Sequence, residues 1–276
     1  MKIIIAKNAG YCFGVRDAVN MAYDIADEKG EVYMLGDIVH NERVVGDLNH
    51  AGAKVVESLE DVPENGTVLF RAHGTKNDVW DEAKNRSLDI RDATCPLVHQ
   101  IHKDVKDLYD EGRKIIVIGD HGHDEVVAIA DQVPKTIIIS SVEEAEKLKR
   151  IRKAGIVSQS TQAIENVQDI IKILMTKVFD LRFVNTICYP TKRNQEQIKD
   201  LAQIVDVMII IGSFTSANSK RLTLLSDKIN KNTYQVTSVN DIENKWFKKC
   251  NTVGISAGAS TPDYLIEEVR NKLSSL

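Results

Sequence analysis

The stretch Lys114-Ile-Ile-Val-Ile-Gly-Asp-His-Gly-His-Asp-Glu125 shows the pattern from which the fold class can be predicted. A short run of β-branched residues ends in a polar loop with glycines, and an amphipathic helical segment follows. The same pattern recurs along the chain, with further strand-like runs that begin near Val32, Val68, Ile156, Val207 and Val253. Alternation of short strands with helices is typical of parallel α/β architecture. We therefore predict an α/β fold with mainly parallel sheets.

The loops that follow these runs contain the polar residues of greatest interest. In open α/β sheets, ligands bind at the carboxyl ends of the strands. Most of these loops combine His, Ser, Thr or Asn with glycine, whereas Lys and Arg are sparse there; the residues are His40, His73, His123, Glu125, Thr161, Ser216, Asn218 and Ser260. This composition favours an anion site built from imidazoles, hydroxyls and helix N-termini.

Composition and charge exclude several classes of protein. The 276 residues include 36 Lys and Arg against 40 Asp and Glu, a net charge of −4, which disfavours nucleic acid as a partner. The longest apolar runs have the length of a strand and are too short to cross a membrane. Lys7 interrupts the N-terminal apolar run before a signal-peptide core could form. We expect a cytoplasmic protein that has no membrane partner.

Three of the four cysteines share one position in the pattern. Cys12, Cys95 and Cys188 each lie at or near the start of a predicted helix, 83 and 93 residues apart. A helix N-terminus favours the thiolate, which is the form that binds metals. Three such ligands suit zinc or an iron–sulfur cluster with one open metal position, although three separate buried thiols would also fit. Cys250 precedes its strand, and we interpret it as structural.

An ordered set of short motifs gives the chain a family resemblance. The motifs run from Cys12 to Asp263: Ala9-Gly-Tyr-Cys-Phe-Gly-Val15, Val39-His-Asn41, Ala72-His-Gly74, Ala93-Thr-Cys-Pro-Leu-Val98, Gly122-His123 with Glu125, Gln159-Ser-Thr161, Thr186-Ile-Cys188, Asn218-Ser-Lys-Arg-Leu222 and Ala257-Gly-Ala-Ser260 before Pro262-Asp263. In this set the chain resembles the 4-hydroxy-3-methylbut-2-enyl diphosphate reductase (LytB) family, whose enzyme catalyses the last step of the methylerythritol phosphate route to isoprenoids.

The resemblance implies a cofactor and a reaction. The cofactor would be an oxygen-sensitive 4Fe-4S cluster, one per chain, held by Cys12, Cys95 and Cys188, with its fourth iron open to substrate. Two electrons and two protons would remove the C4 hydroxyl of the allylic diphosphate as water, which gives isopentenyl and dimethylallyl diphosphate. Because the chain has no flavin or nicotinamide motif, an external donor such as ferredoxin or flavodoxin is required.

The resemblance also implies roles for the loop residues. Glu125 would supply the proton to the departing hydroxyl, and Ser160, where the family usually has Thr, would hydrogen-bond the substrate hydroxyl. The diphosphate would be bound by His40, His73, Ser216, Asn218 and Ser260, with His123 as a further imidazole contact.

The chain departs from the family pattern at three positions. Ala217 stands where a second Ser is common, Asp124 replaces a usual Pro, and Asn185 replaces a frequent Asp. One missing neutral hydrogen bond at Ala217 would weaken diphosphate binding by about 1 kcal/mol. We expect none of these departures to change the site assignments.

We predict three similar α/β modules of about 90 residues each, arranged around a central cleft. The first covers residues 1–96, with Cys12 and Cys95 towards its ends, the second covers 97–189 and ends at Cys188, and the third covers 190–276. Because chain termini often lie close together, we expect the N-terminal strand to pack with the third module.

Two other functions remain as alternatives. The segment His121-Gly-His-Asp-Glu125 has the two imidazoles and following acids of a dinuclear metal-dependent hydrolase, in which the cysteines would be inert. A nucleotide-binding module is the second alternative. It lacks support, because the chain contains neither a Gly-x-Gly-x-x-Gly nor a phosphate-loop motif.

Overall fold

The computed structural model describes all 276 residues, which form twelve β-strands and ten α-helices. The strands are β1 Lys2–Ile5, β2 Val32–Leu35, β3 Ala53–Val56, β4 Thr67–Phe70, β5 Asp89–Asp92, β6 Lys114–Ile118, β7 Ile137–Ile139, β8 Ile151–Ser158, β9 Val178–Phe183, β10 Val207–Ile211, β11 Thr233–Val236 and β12 Thr252–Ala257. The helices are α1 Phe13–Lys29, α2 Glu42–His50, α3 Asn77–Asn85, α4 Pro96–Asp110, α5 Asp124–Ala130, α6 Val142–Lys147, α7 Ile164–Lys177, α8 Tyr189–Ile204, α9 Ala217–Ile229 and α10 Asp263–Ser274. None of these helices combines the length and the apolar character needed to span a lipid bilayer.

The strands form three four-stranded sheets, and all pairings within them are parallel. The strand orders are β3-β2-β4-β5, β7-β6-β8-β9 and β11-β10-β12-β1. In each sheet, β2, β6 or β10 lies between the next two strands of the chain. This repetition confirms the predicted α/β class with three similar modules.

The third sheet is completed by the N-terminal strand. β1 pairs in parallel with β12, and Lys2 lies opposite Thr252 and Ile5 opposite Ile255. In this sheet β1 occupies the edge position that β5 and β9 occupy in the other two. The module boundaries at 96 and 189 and the central cleft remain predictions.

The chain divides into two compact units. One comprises Met1–Arg16, Val39–Asp47 and Tyr189–Leu276, and it contains the sheet β11-β10-β12-β1. The other comprises Asp17–Ile38 and Leu48–Cys188, and it contains the other two sheets.

The central strands are buried on both faces, as expected for parallel sheets covered by helices. All five residues of β10 are buried. Ile209 belongs to a hydrophobic cluster with Leu265 and Val269 of α10. Its neighbour Ile210 belongs to another cluster with Ile198 of α8 and Leu222 of α9. Successive side chains of a strand point to opposite faces, so the continuous apolar run supplies both cores.

The amphipathic helices pack by their apolar faces. In α4, Val98, Ile101, Val105 and Leu108 are buried, and Leu97 is half-buried. In α7, Val167 and Leu174 are buried in a hydrophobic cluster, and Ile164 and Ile171 pack against it half-buried. Ile170 is also fully buried there.

Candidate active site

Every predicted site residue follows the carboxyl end of a strand. Cys12 comes after β1, His40 after β2, His73 after β4, Cys95 after β5, His123 and Glu125 after β6, Ser160 after β8, Cys188 after β9, Ser216 and Asn218 after β10, and Ser260 after β12. This is the edge where parallel α/β sheets bind ligands.

The three predicted ligand cysteines directly precede helices. Cys12 lies before α1 and its carbonyl accepts from Arg16 N, Cys95 is the N-cap of α4 with Pro96 as the first helical residue, and Cys188 lies before α8. All three are half-buried and none forms a disulfide. Cys250 differs, because its thiol donates to Thr252 O (3.3 Å) and its side chain packs against a hydrophobic cluster. Burial, followed by the nearby Asp206 carboxylate, raises the pKa of the Cys250 thiol.

Glu125 is a buried carboxylate that Ser160 holds in place. The side chain is in the first turn of α5 and Glu125 is 2% exposed. Ser160 N donates to its Oε1 (2.5 Å), and Ser160 Oγ donates to its Oε2 (2.8 Å). The backbone of Ser160 also reaches a cysteine, because its carbonyl accepts from Cys188 N (2.9 Å). The loops after β6, β8 and β9 are therefore joined around one carboxylate.

His73 and His123, the second of which lies two residues before Glu125, form an imidazole pair. Their ring centroids are 5.6 Å apart and the rings meet edge to face. His123 is the N-cap of α5, and its Nδ1 accepts from Glu125 N (3.2 Å). Because Nδ1 acts as an acceptor, a neutral His123 ring holds its proton on Nε2.

The departure at Asp124 has a partner that sequence reasoning missed. Arg71 Nη1 lies 2.7 Å from Asp124 Oδ2, and both side chains are about three-quarters buried. Gly36 lies beside that guanidinium, since a Cβ atom there would be 2.8 Å from it, and its φ of +71° favours glycine. The sequence signal that could have indicated this ion pair was the position of its members, Arg71 two residues before His73 and Asp124 next to Glu125. The carboxylate beside Glu125 is thus balanced by a cation.

The segment that contains His40 is hydrogen-bonded to the loop after β12. Buried Asn41 donates from Nδ2 to Ser260 O (2.9 Å), and Ser260 Oγ donates to His40 O (3.1 Å). Asn41 Oδ1 also accepts from Val44 N (3.3 Å) at the start of α2. His40 and Ser260, both predicted to bind diphosphate, are therefore brought together by Asn41.

Glu42 connects the same segment to the loop after β10, which sequence reasoning did not foresee. Its Oε1 accepts from Ser213 Oγ (2.6 Å) and from Thr215 Oγ1 (3.3 Å). Burial acts to raise the pKa of Glu42, but the Ser213 hydrogen bond, backbone and Thr215 hydrogen bonds and nearby His40 together lower it. No sequence pattern marks this contact, because the partners lie 171 and 173 residues apart.

The start of α9 presents a buried amide that has no acceptor in the chain. Ser216 is the N-cap, and its Oγ accepts from Ser219 N (3.3 Å). Asn218 is 7% exposed, and its Nδ2 has no hydrogen-bond partner. A Cβ atom at Gly258 would overlap Ser219 Oγ, so this glycine allows the loop after β12 to approach α9 closely. A buried donor without an acceptor at a helix N-terminus suits an anion.

The geometry does not support the hydrolase alternative. His121 is more than half exposed and lies 2.9 Å from Glu144 of α6, whereas His123 caps α5. The hydrogen bond from the Ser140 backbone, and then the one with His121, lowers the pKa of Glu144. The two imidazoles of the His121–Glu125 segment are therefore engaged in different contacts and do not form a common metal site.

Comparisons with known proteins agree over the whole chain. A model of the LytB protein family matches residues 3–274. The 4-hydroxy-3-methylbut-2-enyl diphosphate reductase of Geotalea daltonii is 40% identical, covering 100% of this chain and 98% of that protein. The protein of the same name from Geobacter sulfurreducens is 39% identical, covering 99% and 97%.

Solved structures give the same result. A structure of (E)-4-hydroxy-3-methyl-but-2-enyl diphosphate reductase, described as the terminal enzyme of the non-mevalonate pathway, matches at 37% identity and a TM-score of 0.73, with 100% of both chains covered. The reductase structure from Plasmodium falciparum matches at 28% identity and a TM-score of 0.93, covering 100% of this chain and 87% of that one. Since family model, relatives and structures all span nearly every residue, the chain belongs to the LytB family of 4-hydroxy-3-methylbut-2-enyl diphosphate reductases.

Proposed function

We propose that this chain reduces 4-hydroxy-3-methylbut-2-enyl diphosphate to isopentenyl and dimethylallyl diphosphate. Two electrons and two protons remove the C4 hydroxyl as one water and leave one new hydrogen on the allylic carbon skeleton. The observation that carries the proposal is the buried Glu125 carboxylate, 2% exposed and fixed by Ser160 in a chain of this family. Loss of a hydroxyl as water requires a positioned proton donor, and a carboxyl group can serve as one.

The family consists of iron–sulfur enzymes, and we propose a 4Fe-4S cluster held by Cys12, Cys95 and Cys188. The residues fit this group, because each thiol is half-buried, outside any disulfide and directly before a helix. Helix N-termini stabilise the thiolate form that ligates iron. When bound, such a cluster supplies electron transfer and a Lewis-acidic iron.

We assign the diphosphate to the polar residues of the carboxyl-end loops. The buried Asn218 amide has a donor without an acceptor, and α9 begins beside it with Ser216 as N-cap. His40 and Ser260 are tied together by hydrogen bonds, and His73 and His123 add two imidazoles. Imidazole and helix N–H groups donate hydrogen bonds to phosphate oxygens, and the negative charge of the phosphate strengthens these bonds. Ala217 removes one hydroxyl from this set.

We assign proton delivery to Glu125 and the positioning of the substrate hydroxyl to Ser160. The Ser160 hydroxyl gives its hydrogen to Glu125 Oε2, so its oxygen keeps lone pairs that can accept the substrate O–H. One serine side chain would in this way contact both the carboxyl group and the leaving hydroxyl.

The reaction needs electrons from outside the chain, because the sequence has no flavin or nicotinamide motif. We propose ferredoxin or flavodoxin as the donor and the cytoplasm as the location, where such carriers are found.

The first experiment measures iron and acid-labile sulfide in protein purified without oxygen. About four of each per chain, with broad absorbance near ~400 nm, is expected for a cluster held by cysteines. The reduced protein is then given the substrate, and products are identified by mass spectrometry. Zinc without sulfide, or a loaded cluster that forms neither product, would contradict the proposal.

A further inference from the structure

A surface cavity of about 660 Å³ lies beside one of the proposed cluster ligands. We call it the lysine groove, and we define it by Trp80, Lys84, Thr94, His99, Lys103 and Lys106. Trp80 and Lys84 come from α3, Thr94 follows β5, and the other three residues belong to α4. All of these residues belong to the same compact unit.

The groove is continuous with Cys95 along the chain. Thr94 immediately precedes Cys95, and His99 lies one turn into the helix that Cys95 caps. His99 N donates to Cys95 O (3.0 Å), which makes the wall of the groove part of the first turn of α4. Electron transfer between proteins weakens steeply with distance, so a donor should dock next to a cluster ligand.

The charge of the groove is positive in a chain whose net charge is −4. Lys103 and Lys106 are exposed and form no ion pair, and Lys84 lies 3.9 Å from Asp81. The other carboxylate of the groove, Asp92, accepts from Thr94 N and Oγ1 (3.0 and 2.6 Å) and lies 3.0 Å from His99 Nε2. Its charge is thus engaged locally, and the two unpaired lysines face solvent.

The lysines share one face of α4. Residues three and four apart on a helix are neighbours, so His99, Lys103 and Lys106 form a continuous strip. The acidic Asp104 lies on another face, where Gln100 donates to it (2.9 Å). The exposed Asp107 and Asp110 lie one turn beyond Lys103 and Lys106 and form no ion pair with them. The lining of the groove also includes His102, whose pKa is lowered to about 4 by burial, followed by the charges of His99 and Lys106.

We propose that the lysine groove is the docking surface for the external electron donor, a small acidic one-electron carrier protein. This inference rests on the proposed function. Encounters between redox proteins are weak and bury less than about 1,200 Å², so a groove with a few unpaired cations is sufficient. Each encounter oxidises one donor by one electron. Two encounters, with two protons from solvent, reduce one substrate and release one water.

Opposite charge at such a surface raises the association rate and makes it depend on salt. The test compares K103E/K106E with the control K147E/K149E, which makes the same charge change at two exposed lysines near the amino end of β8. An acidic ferredoxin is the probe, with an acidic flavodoxin as a second probe, and the dissociation constant is measured by calorimetry at low and high salt on cluster-loaded protein.

We expect K103E/K106E to weaken ferredoxin binding at least tenfold at low salt and to flatten its salt dependence. K147E/K149E should stay within twofold of the parent chain. K103Q/K106Q, which removes charge without reversing it, should give an intermediate loss. Donor affinity that is unchanged in K103E/K106E, or lost equally in the control, would overturn the proposal.

Turnover distinguishes failure of the docking site from failure of the proposed function. With a reduced viologen as electron source, K103E/K106E should turn over at least as fast as the parent, whereas ferredoxin-driven turnover falls. A parallel fall with viologen would assign the lysines to the fold or the cluster site and would overturn docking. No viologen-driven turnover by the parent chain would instead reject the proposed function.

Discussion

At the scale of single residues, the contact between Glu125 and Ser160 is the one on which the chemistry depends. Two hydrogen bonds from one serine fix both carboxylate oxygens, so the acid cannot rotate away from the position in which it is buried. The sequence predicted both residues but not their contact, since 35 residues separate them. Arg71 and Asp124 show the same limit, because 53 residues separate the partners.

Replacing Glu125 with Gln should abolish proton delivery while keeping the shape of the site. We expect turnover to fall by about 10²- to 10⁴-fold, the usual contribution of a positioned acid. Iron and sulfide content and substrate affinity should stay unchanged, which can be measured by metal analysis and calorimetry. Turnover close to that of the parent would show that another group supplies the proton.

Ser160 provides the matched pair of variants for this interpretation. Ser160→Thr keeps the hydroxyl and should remain active, whereas Ser160→Ala loses the bond to Oε2. A bond to a charged group contributes about 1.5–3 kcal/mol, so we expect turnover of the Ala variant to fall by about 10- to 100-fold. Equal activities of the two variants would mean that the hydroxyl has no role.

His102 makes stability depend on pH. Burial, followed by the charges of His99 and Lys106, lowers the pKa of His102 from 6.5 to about 4, although Asp92 acts in the opposite direction. In the unfolded chain His102 binds a proton more readily, so the native state loses stability as the pH falls from about 6.5 towards 4. The shift corresponds to about 3 kcal/mol. Denaturant unfolding should therefore show that the parent loses stability more steeply than His102→Gln as the pH falls below about 6.5, and equal pH dependences would contradict this account.

At the scale of elements, the start of α2 holds two loops in place. Asn41 contacts the loop after β12, and Glu42 contacts the loop after β10. A helix that begins two residues after His40 thereby positions residues near Ser216 and Ser260. The carboxylate itself is unfavourable for a nearby diphosphate, which suggests that its hydrogen bonds matter more than its charge.

Two variants of Glu42 separate these effects. Glu42→Ala loses the acceptor for Ser213 and Thr215, and we expect the dissociation constant for inorganic pyrophosphate to rise about fivefold, from about 1 kcal/mol of lost hydrogen bonding. Glu42→Gln keeps an acceptor oxygen and removes the negative charge, so its affinity should equal or exceed that of the parent. Calorimetry measures both, and equal losses in the two variants would refute the positioning role.

The elements themselves differ in how well the sequence predicts them. The starts of α1, α4 and α8 could be predicted because an amphipathic pattern begins there, and Pro96 is a favoured first helical residue in α4. The edge strands β3, β7 and β11 were not singled out, because each has three or four residues and only one strand neighbour. Short, partly buried strands depend on pairing more than on their own apolar pattern.

At the scale of the whole molecule, one order of strands is used three times. The sequence predicted three modules because the run, loop and helix pattern repeats. It predicted the class of site because polar loops follow strand ends. The contacts within the site depend on loops distant in sequence, which side-chain spacing does not reveal.

The proposed ligand set can be tested across the chain as a whole. We expect each single ligand variant to lower iron and sulfide content strongly, because the cluster has only three protein ligands; the variants are Cys12→Ser, Cys95→Ser and Cys188→Ser. Cys250→Ser is the matched control, and its iron and sulfide content should equal that of the parent, because its thiol bonds to Thr252 O among apolar side chains. Loss of iron in the Cys250 variant alone would overturn the choice of ligands.

The pairing of β1 with β12 also has a consequence for synthesis. The ribosome synthesises Lys2–Ile5 long before Thr252–Ala257. Three consecutive isoleucines of β1 therefore have no native strand neighbour while the intervening modules are synthesised. An apolar strand with an open edge is prone to pair with other nascent chains. We therefore expect the third sheet to close after translation, with chaperones protecting β1 until then. A circular permutant that places β1 after α10 would convert this long-range pairing into a local one, and it should fold faster.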